Sequence, residues 1–598
     1  MYQTNLENNL NSIQTNGTLE EHALKIRNSI NEAIEVSITN QRVAKKPWIS
    51  AETLKLADEK RKAKQTKHLN QNLNEKYKEL CKKVKKFARK DKEGWIEDQC
   101  KEIQEGLQVG KSKQAYNLVK LLKRKYVSKL NIIRKKDGKI AQSKEDVLQT
   151  WTQYCSGLYE DIGGGESFVK DLEDITPPDC DDNTNTNNIL LSEIENAIDK
   201  LKKNKSPGTD GITAEMLQAG GKQLVSNIHE LCNRAWKEEA IPDDWGRSIL
   251  IPIPKKGDLA ECSNYRTISL INHTGKVMLM VLLNRLKHQL EPFLSEEQAG
   301  FRKDRSTVQQ ILILRLLAEK AKRNGTKIYN CFIDFQKAFD TIKHKIIWAT
   351  LRSYGVDNKL VILLEKIYGK SRSAVRIGKD IGEWFQTTVG TRQGDPLSPL
   401  LFITYLERIM DKTTAKFNGV NISGTYVNNL RFADDIDLIN ENHSILQKHL
   451  EQITKTAEEA GLLINIQKTK TLVFGDQNID EQMKIKNENI KNVEEFEYLG
   501  SLITWDNNCS KEINRRINKA IGAMTNLKHI WNTKKLTNGQ QQNAKTYSAI
   551  QDEWESPKRK AMQRMVRRYN RMVWIYVSGS NSPRAEQAPM EKYRSNSG

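Results

Sequence analysis

Two acidic segments, about a hundred residues apart, carry the clearest chemistry in this sequence. The first is Ile328 to Asp340, I-Y-N-C-F-I-D-F-Q-K-A-F-D. Its run Tyr329 to Phe335 is compact, apolar and aromatic, the pattern of a buried strand, with Asp334 at the strand's end. A carboxylate there is costly unless it is paired, hydrogen-bonded or bound to a cation. Asp340 is expected to cap a helix that continues through Tyr354. The second segment is Asn429 to Ile439, N-L-R-F-A-D-D-I-D-L-I, where apolar residues flank Asp434 and Asp435 on both sides. The simplest local structure is a β-hairpin with the two acids at its tip. Adjacent carboxylates repel, so such a tip suits a divalent cation, and Asp334 from a neighbouring strand would be a third ligand. Hard oxygen donors with open water positions suit Mg²⁺, or Mn²⁺ in its place. Two such ions roughly 3.5–4 Å apart activate a 3′-hydroxyl and stabilise a leaving pyrophosphate. An acidic turn or an acid at a strand end is commonplace alone. Their combination, with the pieces between and around them, is not.

Between the two lies Gly390-Thr391-Arg392-Gln393-Gly394-Asp395-Pro396-Leu397-Ser398-Pro399, followed by an apolar helix from Leu400 to Ile409. Backbone N–H groups near that helix start are a natural rest for a nucleotide or template–primer. Upstream, Ile253-Pro254-Lys255-Lys256-Gly257-Asp258 and Asn264-Tyr265-Arg266 place Lys255 and Arg266 on loops or short strands suited to triphosphate oxygens.

The elements that must position these groups belong to a chain of 598 residues, enough for three to four domains. Its formal net charge of +21 points to a polyanionic partner, most simply nucleic acid. The eight cysteines are scattered, which argues against a disulfide framework and a zinc site and for a reducing compartment. No stretch reaches the roughly 18 apolar residues of a membrane span. The polar start, Met1 to Glu20, has no signal-peptide core. A soluble intracellular protein without membrane contact is expected. Residues 51–100 hold 13 Lys and 2 Arg against 9 acids, and residues 111–139 hold 9 Lys and 2 Arg against Asp137 alone. Lys55 to Glu105 lacks Pro and repeats Leu73, Tyr77, Leu80, Val84 and Phe87 at helical steps. Lys82, Lys83, Lys85, Lys86 and Arg89 then form a basic face, read as a phosphate-binding arm. Gly163-Gly164-Gly165 marks a loop, Asp179 to Asn188 a linker, and the main boundary falls near 180–190. Leu191 to Lys203 is expected to be a helix, with Ser192 as N-cap and Glu195 completing a capping box. Lys558 to Arg571 is basic without an acid, a phosphate-binding run or nuclear address, and Ser578 to Gly598 reads as disordered.

In this order the motifs P-I-P-K-K-G-D, N-Y-R-T-I-S-L-I-N, E-Q-A-G-F-R-K-D-R-S-T, F-I-D-F-Q-K-A-F-D, G-T-R-Q-G-D-P-L-S-P-L-L-F, F-A-D-D, G-L-L-I-N-I-Q-K-T-K and F-E-Y-L-G-S resemble the reverse transcriptase of non-LTR (LINE-type) retrotransposons, most closely the RTE-like clade. The resemblance is densest from about Arg247 to Ile503. It implies an α+β, right-hand polymerase fold with fingers, palm and thumb, preceded by a basic helical N-terminal extension. The implied division is 1–185 extension, 186–246 helical lead-in, 247–505 reverse transcriptase domain, 506–550 partial thumb and 551–598 basic tail. It also implies an RNA template, a DNA primer and dNTP substrates, with residence in the nucleus. By resemblance, Asp334, Asp434 and Asp435 are the catalytic, metal-binding aspartates. Lys255 and Arg266 hold the incoming triphosphate, and Phe339 is a steric gate against a ribonucleotide 2′-hydroxyl. Gln393 lines the nucleotide pocket, and Lys468 is a proton donor to pyrophosphate. Tyr498, Leu499 and Gly500 form the primer grip. Three departures stand out. Phe432 replaces the usual Tyr of the hairpin. Asp395 stands where Cys is common, and its charge is expected to weaken triphosphate binding. The family's N-terminal endonuclease is expected to be missing, and the chain past about Trp531 is not expected to match the family's usual tail. An RNA-directed DNA polymerase is therefore the first expectation. A catalytically decayed nucleic-acid-binding protein derived from such an element is the alternative.

Overall fold

The computed structural model describes residues 1–11, 17–37, 46–108, 132–178, 188–255, 257–422, 424–475 and 482–525. The linker at 179–187, Lys256, most of the basic stretch 111–139 and the tail from 551 lie outside the described residues.

Two five-stranded sheets organise the described chain. In the first, β1 (Arg247–Pro254) pairs antiparallel with β2 (Tyr265–Ile271). β1 also pairs parallel with β4 (Arg372–Ile377), which in turn pairs with β5 (Asp380–Ile381) and β6 (Phe385–Gln386). The β1–β4 register covers only Arg247 to Leu250, so Pro252 and Pro254 fall where β1 has a single neighbour and a missing N–H is tolerated.

The second sheet has β3 (Ile328–Ile333) in its middle. β10 (Asp435–Asn440) and β11 (Lys470–Phe474) flank it, both antiparallel. β9 (Asn429–Phe432) and β14 (Lys491–Asn492) form the edges. The strand alternation explains why β3 is apolar nearly throughout. Cys331 and Ile333 join the core with the helix Ser398–Thr414, while Ile328 and Phe332 join a second core with Leu314 and Leu317 of the helix Thr307–Asn324. Three further hairpins complete the strands: β7 (Val420–Ile422) with β8 (Thr425–Val427), β12 (Lys484–Ile485) with β13 (Glu488–Asn489), and β15 (Glu495–Tyr498) with β16 (Ser501–Thr504). The Phe496 ring of β15 stacks on Phe332, 4.1 Å between centroids.

The described residues fall into two compact units, one of 1–37 and 132–514, the other of 46–108 and 515–525. In the first, the helix Lys144–Leu158 packs Val147, Trp151 and Cys155 against Leu250, Tyr265 and Val375. Residues 133–159 thus share a core with β1, β2 and β4, across the boundary expected near 180–190. In the second unit the helix expected over Lys55–Glu105 is two helices, Ala51–Thr66 and Gln71–Gln108. Asn70 makes the break: its side-chain carbonyl accepts the Leu73 N–H (2.8 Å), starting a new helix without any proline. Lys82, Lys83, Lys85, Lys86 and Arg89 are exposed, and Leu73, Tyr77, Leu80, Val84 and Phe87 are half-buried, as the periodicity requires. The expected cap Ser192 lies inside its helix, Leu191–Asp199. Leu190 is the N-cap residue, because Glu193 and not Glu195 reaches back to its N–H (2.9 Å). Among the described residues no helix is long and apolar enough to cross a membrane, and Cys81, Cys155, Cys232, Cys262, Cys331 and Cys509 are free thiols.

A buried ion pair ties the second sheet to its covering helix. Arg431 of β9 meets Glu407 of the helix Ser398–Thr414 at 3.1 Å, with side-chain exposures of 2% and 1%. Removing one partner strands the other charge in the core. Glu407→Ala is expected to destabilise the chain by about 3–5 kcal/mol in denaturant unfolding, and a loss below about 1 kcal/mol would mean that the pair is dispensable.

Candidate active site

The hairpin expected around the acidic pair is present. Phe432 pairs with Asp435, leaving Ala433 and Asp434 as a two-residue turn. Ala433 has φ +60°, a left-handed conformation that costs an L-residue roughly 1–2 kcal/mol. The turn is held from outside. The wholly buried Gln298 accepts at Oε1 from the N–H groups of Ala433 (3.0 Å) and Gly300 (2.8 Å). Backbone bonds join Arg431 N–H to Glu297 (3.0 Å) and Ala299 N–H to Arg431 (2.8 Å). A Cβ at Gly300 would lie 2.2 Å from the Ala433 nitrogen, so only glycine fits there. The motif E-Q-A-G-F therefore braces the acidic turn, a role its sequence alone did not disclose.

Asp334 follows β3 directly. Its N–H donates to Thr469 Oγ1 (3.3 Å), and its carbonyl accepts from Asn465 N–H (2.7 Å). Lys468 Nζ lies 3.2 Å from Asp334 Oδ2, so the structure brings this lysine to the carboxylates. The charge of Asp334 reaches both Asp434 and Asp435. Burial raises the carboxyl of Asp434 above its ordinary range, and the charge of Asp334 adds to the effect, while Arg266 and Lys468 oppose it. Asp435 has an exposed side chain, but the protein packed around it and the charges of Asp434 and Asp334 push its carboxyl up to about 6. Among the described residues no three His, Cys, Asp or Glu groups close into a metal-ligand cluster. Mutually repelling hard-oxygen donors of this kind fit a divalent cation, which would relieve their repulsion.

The cations come from the first sheet. Lys255 follows β1, its N–H donating to the Asn264 carbonyl (2.8 Å), and Arg266 stands in β2 opposite Ile253. Both side chains are exposed. Burial lowers the Lys255 ammonium, the charge of Arg266 lowers it further, and Asp340 opposes both. Asp340 does not cap the next helix. It sits inside the one-turn helix Ala338–Thr341, and Lys343 is the N-cap residue of His344–Ser353. Its carboxylate instead accepts from the Tyr159 hydroxyl at 3.1 Å.

The G-T-R-Q-G loop is stitched to β2 and to the one-turn helix that follows β3. Thr391 N–H donates to the Phe339 carbonyl and Ser269 N–H to the Gln393 carbonyl, each at 2.8 Å. Gln393 therefore lies along β2, three residues from Arg266. Phe339 is half-buried, its ring 4.2 Å from that of Phe402. Asp395 departs from expectation. It is buried, pairs with Arg392 at 3.1 Å and accepts from Leu397 N–H at 2.8 Å. Its charge is spent inside the loop, so the expected repulsion of a triphosphate has no free carboxylate behind it. Leu397, whose N–H Asp395 takes, is the N-cap residue of the helix Ser398–Thr414. Tyr498 is buried with its ring 5.5 Å from Phe332, so its side chain is core. Leu499 and Gly500 form the β15–β16 turn with φ +47° and +84°.

Residues 253–503 match the family described as "Reverse transcriptase (RNA-dependent DNA polymerase)". The reverse transcriptase match is confined to that stretch. The chain is 27% identical over 294 residues to "Transposon TX1 uncharacterized 149 kDa protein" of Xenopus laevis, covering 49% of this chain and 22% of that one. It is 28% identical over 289 residues to "Retrovirus-related Pol polyprotein from type-1 retrotransposable element R2" of Popillia japonica, covering 48% and 39%. To "RNA-directed DNA polymerase from mobile element jockey" of Drosophila melanogaster it is 23% identical over 329 residues, covering 53% and 35%. The matched part is about a fifth to two-fifths of these relatives' lengths. Every site residue expected from the sequence, Lys255 to Gly500, lies inside the family match. Tyr159, which reaches Asp340, does not.

The crowding of acids has a measurable cost. Because the folded Asp435 carboxyl is raised above its unfolded value, the folded state binds more protons between about pH 4 and 6, and stability falls as pH rises through that window. In metal-free buffer Asp435→Asn is expected to raise the melting temperature at pH 7 and to match the parent near pH 4. A variant less stable than the parent at pH 7 would contradict this electrostatic reading.

Proposed function

We propose that the chain is the RNA-directed DNA polymerase of a non-LTR retrotransposon with RTE-like affinity, extending a DNA primer on an RNA template. The observation that carries the proposal is the pairing of three mutually repelling carboxylates with the Lys255 and Arg266 cations, all inside the family match. Asp334, Asp434 and Asp435 would hold two Mg²⁺ ions, with Mn²⁺ as a substitute. Bound there, the ions would acidify the primer 3′-hydroxyl and offset charge on the leaving pyrophosphate. Lys255 and Arg266 bind the triphosphate of the incoming dNTP by charge-assisted hydrogen bonds. Phe339 blocks a 2′-hydroxyl, and Gln393 lines the pocket on the side of β2. Lys468, whose contact with Asp334 supports the reading, gives a proton to pyrophosphate. The Leu499–Gly500 turn, with Tyr498 anchoring it in the core, supports the primer. The exposed lysines of the helix Gln71–Gln108 bind nucleic-acid phosphates without sequence choice. Residence in the nucleus follows from such a role.

The test is primer extension on a primed homopolymer RNA with dNTPs and Mg²⁺. The parent is expected to extend the primer, and Asp434→Asn to abolish extension while leaving RNA affinity within about twofold. RNA affinity is expected to fall steeply with salt. Extension that survives Asp434→Asn would refute the metal-site assignment. Salt-sensitive binding without extension by the parent would point to a decayed binding protein.

A further inference from the structure

Tyr159 lies outside the family match, yet its hydroxyl stands at the junction of the two sides of the proposed nucleotide pocket. It is 2.9 Å from Thr267 Oγ1 and 3.1 Å from Asp340 Oδ1. Thr267 is the neighbour of Arg266 in β2, and Asp340 is the neighbour of Phe339. A hydroxyl donates one hydrogen and accepts others, so Tyr159 can donate to the carboxylate while accepting from Thr267. Tyr159 and Thr267 are buried, and Asp340 lies deep among its neighbours, so water does not compete freely for these bonds. The tyrosine is itself fixed. Its carbonyl accepts from Thr388 N–H (2.9 Å), just before the G-T-R-Q-G loop. On the helix leading to it, Trp151 packs edge-on against Tyr265 with centroids 5.0 Å apart. Tyr154 accepts from Lys337 Nζ at 3.0 Å.

Resting on the polymerase reading above, we infer that Tyr159 and Asp340 are positioning residues for the incoming nucleotide. The Thr267–Tyr159–Asp340 hydrogen-bond chain sets the distance between Arg266, which takes the triphosphate, and Phe339, which meets the sugar. Residues 144–159 are then part of the nucleotide pocket and not a separate extension. The reacting carboxylates stand on the second sheet, braced by Gln298 and Arg431. Loss of the chain should therefore loosen nucleotide binding and spare the chemical step.

The experiment is steady-state extension of oligo(dT) on poly(rA) by the full chain with dTTP varied. Losing one hydrogen bond of ordinary strength corresponds to about a three- to tenfold change. Tyr159→Phe and Asp340→Ala are each expected to raise the KM for dTTP by that factor, with kcat within about twofold of the parent. Asp340→Asn keeps an acceptor for the hydroxyl and should restore KM to within about twofold. The double variant Tyr159→Phe/Asp340→Ala should be no worse than Asp340→Ala alone. A melting temperature that falls in Tyr159→Phe while KM stays put would overturn the inference, leaving only a structural bond. An Asp340→Asn variant as impaired as Asp340→Ala would also overturn it, since charge and not the hydrogen bond would then matter. Failure of the parent itself to extend would defeat the polymerase reading, and this inference with it. A parent that extends normally beside unchanged variants would defeat the inference alone.

Discussion

Like-charge repulsion among Asp334, Asp434 and Asp435 is the constraint on which the rest of this structure depends. Left to themselves, three acids at a strand end and a hairpin tip would separate or take up protons, and the raised carboxyls of Asp434 and Asp435 record that pressure. The fold answers with rigidity. The β3–β10 register fixes the strand bearing Asp334 against the one that begins at Asp435. Gln298 clamps the strained Ala433 turn, and the buried Arg431–Glu407 pair anchors β9 to the helix behind it. Electrostatic cost is thus accepted at the site, and in the proposed function a divalent cation would relieve it.

The second requirement is that cations from one sheet face acids from another. Among the described residues no strand pairing joins the two sheets, and loops and side chains connect them. Gly390 illustrates the tolerance. It has φ +75°, and a Cβ there would lie 2.5 Å from the Asp340 carbonyl. The adjoining Thr391 bond to Phe339 and the Gln393 bond to Ser269 make the G-T-R-Q-G loop a strut between β2 and the one-turn helix that follows β3. The tyrosine at position 159 adds a tie from a segment that family resemblance passes over.

What the sequence disclosed follows from the range of the forces involved. The strand before Asp334 and the hairpin at Asp434 are written in local apolar runs and a two-residue turn, so both were legible. The half-buried stripe of Leu73, Tyr77 and Leu80 was legible for the same reason. The failures have distant or competing partners. Asp340 looked like a helix cap, but its partner is a tyrosine 181 residues earlier. Asp395 reads as a free charge in the sequence, but Arg392 is buried beside it. Gln298 sat in a recognised motif, yet its target, Ala433, lies 135 residues on. Ser192 lost its cap role to a choice between two nearby glutamates that periodicity does not make.

The central claim is that the three aspartates together form the cation site. The most direct measurement is Mn²⁺ binding to the full chain, followed by electron paramagnetic resonance in the presence of a non-reacting dNTP analogue. The account predicts two Mn²⁺ ions per chain in the parent and loss of both when Asp334, Asp434 and Asp435 are all changed to Asn. Two ions retained by that triple variant would show that the cations bind elsewhere and would contradict the account.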